Sequence, residues 1–126
     1  MRTQTIRFPN QQALCVFPGQ PSDLARAVSE LGLDKKYPVI VLIGGNIDEE
    51  QAVVTRLAIQ SIAKAAEDMN ALIVCGGTNM GVMAEIGMVR WQNHWKFPLV
   101  GITLEDLVTW PDGPRSTKFL WWGKKR

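Results

Sequence analysis

Residues Ala71–Gly87 read ALIVCGGTNMGVMAEIG, and this stretch sets the architecture of the domain. Its first five residues, Ala71–Cys75, are small or apolar and predict a short buried strand. A glycine-rich turn follows at Gly76–Gly81, after which apolar residues recur at helical spacing. These apolar residues are Val82, Met83, Ile86 and Val89. Because glycines let the backbone approach a ligand closely and a helix N-terminus offers free N–H groups, the stretch predicts a phosphate cradle.

A second glycine turn stands upstream, after another apolar run. Residues Pro38–Ile43 (PVIVLI) are mostly β-branched and predict a strand that is covered on both faces. Gly44, Gly45 and Asn46 follow it, and the longest predicted helix then runs over Asp48–Met69. The 3.6-residue period predicts a buried stripe on this helix at Val54, Ala58, Ile62, Ala65 and Met69.

The remaining segments complete an alternation of strands and helices. Strands are predicted at Ala13–Phe17 and Pro98–Thr103, and an amphipathic helix at Ser22–Leu31. Residues 1–10 look like a loose lead-in, and residues 104–126 like an irregular tail that is rich in tryptophan. Such alternation implies βαβ units and therefore an α/β class, with a Rossmann-like parallel sheet flanked by helices.

The two glycine turns are expected on the same side of this sheet, at the carboxyl ends of its strands. We call this side the carboxyl edge. In open parallel sheets, ligands bind outside the carboxyl ends of the strands. Gly44–Asn46 and Gly76–Gly81 each follow directly on a predicted strand, so both turns should open toward the same edge. This coincidence strengthens the prediction of a binding site beyond what either turn carries alone.

Length and composition bound the function. A chain of 126 residues predicts a single domain, residues 1–126, with a real core. Lys and Arg number 14 against 12 Asp and Glu, so nothing favours nucleic acid as a partner. No run approaches the ~20 apolar residues that span a bilayer. Cys15 and Cys75 lie in apolar runs and make no disulfide framework, so the expected location is the cytoplasm.

Two stricter phosphate-binding templates do not fit the glycine turns. Gly76–Gly81 has the glycine spacing of a Walker A loop, but Val82 and Met83 stand where a lysine and a Ser or Thr are required. Neither turn matches the dinucleotide fingerprint GxGxxG. What survives is a cradle of backbone donors, with Thr78 as a hydroxyl donor and Asn79 as a turn residue or an amide donor. Ordinary packing of a strand against a helix is the alternative interpretation of the same glycines.

Other chemistry finds little support in the sequence. His94 is the sole histidine, and no serine, cysteine or acid stands at a recognisable catalytic spacing. One histidine and two cysteines in separate strands supply no metal-ligand cluster. Glu85, one turn into the motif helix, is either a ribose contact or a solvated carboxylate. The sequence therefore predicts no catalytic residue and no metal site.

The glycine-rich stretch GGTNMGVMAEIG resembles the motif of the SLOG superfamily, which includes the LOG-type phosphoribohydrolases. It is most similar to the SLOG domain of melastatin-type TRP channels and to the prokaryotic relatives of that domain. The upstream VIVLIGGN and the downstream PLVGIT are similar too. The resemblance covers roughly Ala13 to Thr109.

The resemblance implies a binding function. Members of this superfamily bind nucleotides or their derivatives, including ADP-ribose-like ligands in the channel branch. By resemblance, Gly44, Gly45 and Asn46 line the ligand near its sugar or phosphate. The phosphate itself is expected against Gly76, Gly77, Thr78, Asn79 and Gly81. This implies a nucleotide-type ligand with no required cofactor, in a ligand-binding module or sensor that holds a small-molecule nucleotide derivative.

The chain also departs from the LOG enzymes. Their second signature, PGGxGTxxE, has no match here, and relatives are expected to continue past Arg126, so a truncated or minimal version of the fold is expected. Two alternatives stay open. One is a LOG-like phosphoribohydrolase acting on nucleoside 5′-monophosphates, which release of base from AMP would identify. The other is a structural subunit that self-associates, for instance as a homodimer, through its tryptophan-rich tail.

Overall fold

The structure is a computed structural model that describes residues 2–8, 11–44, 47–76, 81–104 and 120–124. The strands are β1 (Arg2–Phe8), β2 (Gln11–Phe17), β3 (Val39–Val41), β4 (Leu72–Cys75), β5 (Leu99–Leu104) and β6 (Leu120–Lys124). The helices are α1 (Leu24–Glu30), α2 (Ala52–Met69) and α3 (Gly81–Gln92). Short 3₁₀ turns at Pro21–Asp23 and Glu49–Gln51 lead into α1 and α2. Within these residues, no helix is both long and apolar enough to cross a membrane.

Six strands form one sheet in the order β1-β2-β6-β5-β4-β3. Every neighbouring pair from β2 to β3 is parallel, and only β1 runs antiparallel, against β2. Because parallel neighbours need crossover connections, the helices cover the sheet as expected for the fold class. The predicted Rossmann-like α/β arrangement is confirmed, with an antiparallel edge strand added.

The main core lies between the sheet and the pair α2 and α3. It contains Ile73 and Cys75 of β4, Leu99 of β5 and the loop residue Phe97, which is 1% exposed. Small side chains on α2 and larger ones on α3 fill the other side of this cluster. They are Ile59, Ala63, Ala66, Met83, Ile86 and Val89. This packing fixes both helices, and therefore their N-termini, above the same part of the sheet.

Helix α1 covers the opposite face of the sheet. Side chains alternate along a strand, so Val16 faces away from its neighbour Cys15. Cys15 shares its row across the sheet with Cys75 of the main core. Val16 accordingly packs against Ala27 and Leu31 in a separate small cluster with α1. The right-handed rule for crossovers predicts this placement, since the β2-to-β3 connection runs opposite to the later ones.

The prediction that Pro38–Ile43 is covered on both faces was wrong. Only Val39–Val41 form the strand, and β3 lies at the edge of the sheet. Val39 is 56% and Val41 62% exposed, whereas Ile40, between them, packs on the main core. Helix α1 covers β2, at the other end of the sheet, so this face of β3 stays open among the described residues.

The predicted buried stripe of α2 was also wrong. The buried residues are Ile59, Ala63 and Ala66, whereas Val54 is 69% and Met69 56% exposed. Of the predicted positions, only Ile62 packs partly on the core. Apolar residues occupy more than half of the helix circumference, so the period alone could not choose the inner face. The buried face includes Ala63 and Ala66, which pack in the main core.

Both ends of the chain contain strands that the sequence did not predict. Within the expected lead-in, Arg2–Phe8 pairs along its whole length with β2. Within the expected irregular tail, Leu120–Lys124 fills the gap between β2 and β5 with parallel pairing to both. Both strands are stabilised by pairing with neighbours in the folded sheet.

A carboxylate joins α2 to the loop before β5. Glu67 accepts hydrogen bonds from the backbone N–H groups of Lys96 (2.7 Å) and Phe97 (2.9 Å). Arg90 of α3 lies over the Phe97 ring and donates from Nε to the Phe97 carbonyl oxygen at 2.8 Å. Burial lowers the pKa of the Arg90 guanidinium, and the charge of Glu67 opposes this shift. These contacts hold the ends of α2 and α3 at the edge of the sheet where β4 and β5 begin.

Candidate functional site

The strands that precede the two glycine turns, β3 and β4, end next to each other. The strands pair in parallel from Val39 with Leu72 to Val41 with Val74, so both end at the same edge. Of the predicted site residues, the structure describes Gly44, Gly76 and Gly81. The others lie outside the described residues: Gly45, Asn46, Gly77, Thr78 and Asn79. The two strands therefore end on the same side of the sheet, as expected from the sequence, and the described residues next to the turns are Gly44, Gly76 and Gly81.

Gly44 lies directly against the first turn of α3. A Cβ atom at Gly44 would come within 2.8 Å of the Val82 Cγ2 atom and 3.3 Å of its Cβ atom. Side-chain atoms at such distances clash, so only glycine fits here without a shift of Val82. The chain that follows β3 thus touches, at Gly44, the first turn of the helix that begins after β4. Nothing in the sequence reveals this contact, because 38 positions separate the two residues.

Gly81 opens α3 in a backbone conformation that suits glycine. Its φ angle is +54°, in the left-handed region that side chains disfavour. The chain enters the helix through this residue, and the first helical N–H groups lie at the carboxyl edge of β4. No acidic residue stands in the first turn of α3. The positive end of the helix dipole is therefore not neutralised by a side chain of that turn.

The start of α2 has the opposite character. Asp48, Glu49 and Glu50 are exposed and stand in or before the 3₁₀ turn that leads into this helix. Asp48 occupies the N-cap position but makes no capping hydrogen bond through its side chain. Three carboxylates at this terminus offset the helix dipole and repel an anion. Of the two helix N-termini that follow β3 and β4, only that of α3 suits a negatively charged group.

An ion pair bridges α2 and α3 behind this edge. The Arg56 Nε atom lies 3.7 Å from the Glu85 Oε2 atom. The Glu85 side chain is 22% exposed and that of Arg56 60%. The Glu85 carboxylate is thus partly buried and faces an exposed arginine, and its contact with a ribose stays a prediction. Sequence reasoning missed the pair, because its partners sit on different helices.

Cys75 and His94 were also singled out in the sequence. Cys75, the last residue of β4, is 5% exposed, packs in the main core and forms no disulfide. His94 follows the end of α3, is exposed and has a φ angle of +55°. Among the described residues, no three His, Cys, Asp or Glu side chains come together in a way that could hold a metal ion.

A shallow groove of about 410 Å³ lies at the other end of α3. It is lined by Leu57, Gln60, Ser61, Lys64, Asn93 and Trp95. Several of its polar groups already have partners one turn away, such as Ser61 with the Leu57 carbonyl and Lys64 with Asp68. Asn93 follows the C-terminus of α3, which is about 18 Å from Gly81 along the helix. The groove is therefore separate from the glycine turns.

Comparison with known proteins agrees with this architecture. The family model described as SLOG in TRPM, prokaryote, matches residues 37–120, which is more than half of the chain. The matched region begins just before β3 and spans both glycine turns. No curated protein matches the sequence significantly. The chain therefore belongs to the prokaryotic SLOG family related to TRPM channels.

Proposed function

We propose that this protein binds a nucleotide or nucleotide derivative of the ADP-ribose or NAD type, as a ligand-binding module or sensor. The observation that carries the proposal is the N-terminus of α3, which starts at a left-handed Gly81 and has no acid in its first turn. It lies at the carboxyl edge of a parallel sheet, where ligands of such sheets bind. Membership of the SLOG family supports a nucleotide-related ligand.

The proposed mechanism is recognition by the backbone. The ligand's phosphate accepts hydrogen bonds from the first N–H groups of α3 and from the turn Gly76–Gly81, where Thr78 adds its hydroxyl and Asn79 its amide. The nucleoside end lies toward Gly44–Asn46, because the carboxylates that precede α2 disfavour a phosphate there. No cofactor takes part, and the protein's residues form no covalent bond with the ligand.

A thermal-shift panel tests the proposal. The wild-type chain is melted with ADP-ribose, NAD, AMP, ATP and cyclic nucleotides, each at increasing concentration. A ligand present at ~100 times its Kd adds ~2.7 kcal/mol to the free energy of unfolding. For a domain of this size that raises the melting temperature by several degrees. Absence of any shift, in a sample that melts cooperatively, would contradict the proposal.

Two glycine variants locate the binding. Gly77→Val places a side chain in the predicted cradle and should abolish the shift. Gly19→Val is the control, because Gly19 follows β2, three strands from β4, and a Cβ there meets only Asp23, at 3.7 Å. If Gly77→Val lowers the melting temperature of the ligand-free protein, Gly77→Ala replaces it. Retention of the full shift in the Gly77 variant would place the ligand elsewhere.

The same samples decide between binding and catalysis. Incubation with AMP, followed by chromatography of the bases, detects cleavage of the N-glycosidic bond. Protein-dependent release of adenine would mean that the protein is a LOG-like phosphoribohydrolase and not a sensor. Binding without release supports the module proposed here. Sedimentation with and without the bound nucleotide then measures whether the ligand changes self-association.

A further inference from the structure

The Arg56–Glu85 pair lies close to the region proposed to bind the ligand. Glu85 stands three residues after Val82 on α3, so both side chains leave the same side of the helix. Val82 is the residue in contact with Gly44. Three residues rise by about 4.5 Å along a helix, which places the pair one turn behind that contact. Arg56 likewise lies in the second turn of α2, counted from Ala52.

The contact leaves much of the Arg56 guanidinium unused. Glu85 approaches the Nε atom only, and 3.7 Å is longer than a hydrogen bond. A guanidinium that binds a carboxylate well presents two parallel N–H groups to it. Among the described residues, Arg56 makes no other hydrogen bond, ion pair or ring contact. The positive charge of Arg56 therefore lies near the carboxyl ends of the strands. The guanidinium N–H groups that do not face Glu85 can donate hydrogen bonds to an anion.

Glu85 keeps the arginine in place. Its side chain is only 22% exposed, so its negative charge favours a nearby cation. Arg56 is 60% exposed, and its long side chain can turn while its stem stays on α2. A phosphate is a better partner than this single long contact, because its oxygens accept two hydrogen bonds from one guanidinium.

We propose that Arg56 is a specificity-determining residue, which turns from Glu85 toward the phosphate groups of the bound nucleotide and so favours ligands with more phosphate charge. Glu85 opposes this preference, because it competes for Arg56 and repels the anion. The inference rests on the proposed function. It adds to the backbone cradle a side-chain contact that distinguishes ADP-ribose or AMP from an uncharged nucleoside.

A second ion pair on α2 supplies the matched control. Lys64 lies 2.9 Å from Asp68, and both side chains are more than 60% exposed. Lys64 is eight residues, about 12 Å, further along the helix than Arg56. Lys64→Gln therefore removes the same charge from the same helix, away from the glycine turns.

The experiment measures Kd values for ADP-ribose and adenosine by calorimetry at two salt concentrations. For Arg56→Gln we expect ADP-ribose to bind about tenfold more weakly, which is ~1.4 kcal/mol, with a smaller salt dependence and unchanged adenosine affinity. Glu85→Gln should bind ADP-ribose a few times more tightly. Arg56→Lys should retain part of the affinity, and Lys64→Gln all of it.

The possible failures can be told apart. If wild type binds none of the nucleotides, the proposed function fails and the role of Arg56 fails with it. If wild type binds ADP-ribose and Arg56→Gln binds it equally well, only the role of Arg56 is overturned. Equal weakening of ADP-ribose and adenosine would also overturn it, since that pattern means a structural effect on α2. Melting temperatures of the ligand-free variants check that each is folded.

Discussion

The contact between Gly44 and Val82 yields a sharp prediction. Gly44→Ala adds one methyl group at a position where the Val82 Cγ2 atom would be 2.8 Å away and its Cβ atom 3.3 Å away. Valine in a helix is nearly confined to one rotamer, so its side chain cannot swing aside. The strain must therefore move α3 or the end of β3. We expect the substitution to destabilise the protein although Gly44 itself is exposed.

We expect Gly44→Ala to change the free energy of unfolding by different amounts in the wild-type protein and in the Val82→Ala variant. Overpacking of this kind costs about 1–3 kcal/mol. When Val82 is first changed to Ala, the Cγ2 atom is gone and only the Cβ atom at 3.3 Å remains, a contact that a shift of a few tenths of an ångström relieves, so Gly44→Ala should then be close to neutral. The coupling energy between the two sites is thus expected at about 1–3 kcal/mol. In the wild-type background, the cost of about 1–3 kcal/mol for Gly44→Ala corresponds to a fall in melting temperature of roughly 4–12 °C.

The assay is urea unfolding of wild type, both single variants and the double variant. Equal m-values across the four proteins allow the free energies of unfolding to be compared directly. If Gly44→Ala costs the same in the wild-type background as in the Val82→Ala background, Gly44 and Val82 are not in contact. A cost below ~0.5 kcal/mol in wild type would lead to the same conclusion. Either result would refute the close contact between Gly44 and the first turn of α3.

Further predictions concern α2. Glu67→Ala should cost about 1–3 kcal/mol in urea unfolding, because two backbone N–H groups of the loop before β5 lose their acceptor. Asp68→Ala, which removes the neighbouring exposed carboxylate, should cost less than ~1 kcal/mol. Ile59→Ala should cost about 2–5 kcal/mol, whereas Val54→Ala should change the free energy of unfolding by under ~0.5 kcal/mol. If Val54→Ala lowered the free energy of unfolding more than Ile59→Ala, the buried stripe predicted from the sequence would be supported instead.

The elements that were predicted well are those with a strong local pattern. The strand before Gly76 was expected at Ala71–Cys75 and is Leu72–Cys75. The helical spacing was recognised from Val82 onward, and the helix begins one residue earlier, at Gly81. Helix α1 and strand β5 also lie within or close to their predicted ranges. In each case, the signal is an apolar run or a helical period that extends over only a few neighbouring residues.

The first and last strands escaped prediction for different reasons. Pro9 and Asn10 favour a turn, and they stand between two stretches of equal length that pair as β1 and β2, so a hairpin could have been foreseen. The last strand, LWWGK, carries no comparable local sign. Its pairing depends on β5 and on β2, which is more than 100 positions earlier in the chain.

Neighbouring residues alone specify the α/β class, the two glycine turns and their common edge, because the order of strand, turn and helix is a local property of the chain. Long-range packing instead selected the buried face of α2, left β3 as an open edge strand and brought Gly44 against Val82. It also brought Arg56 to Glu85. These outcomes depend on how closely two helices and a sheet can approach, and steric fit between distant segments leaves no periodic trace in the chain.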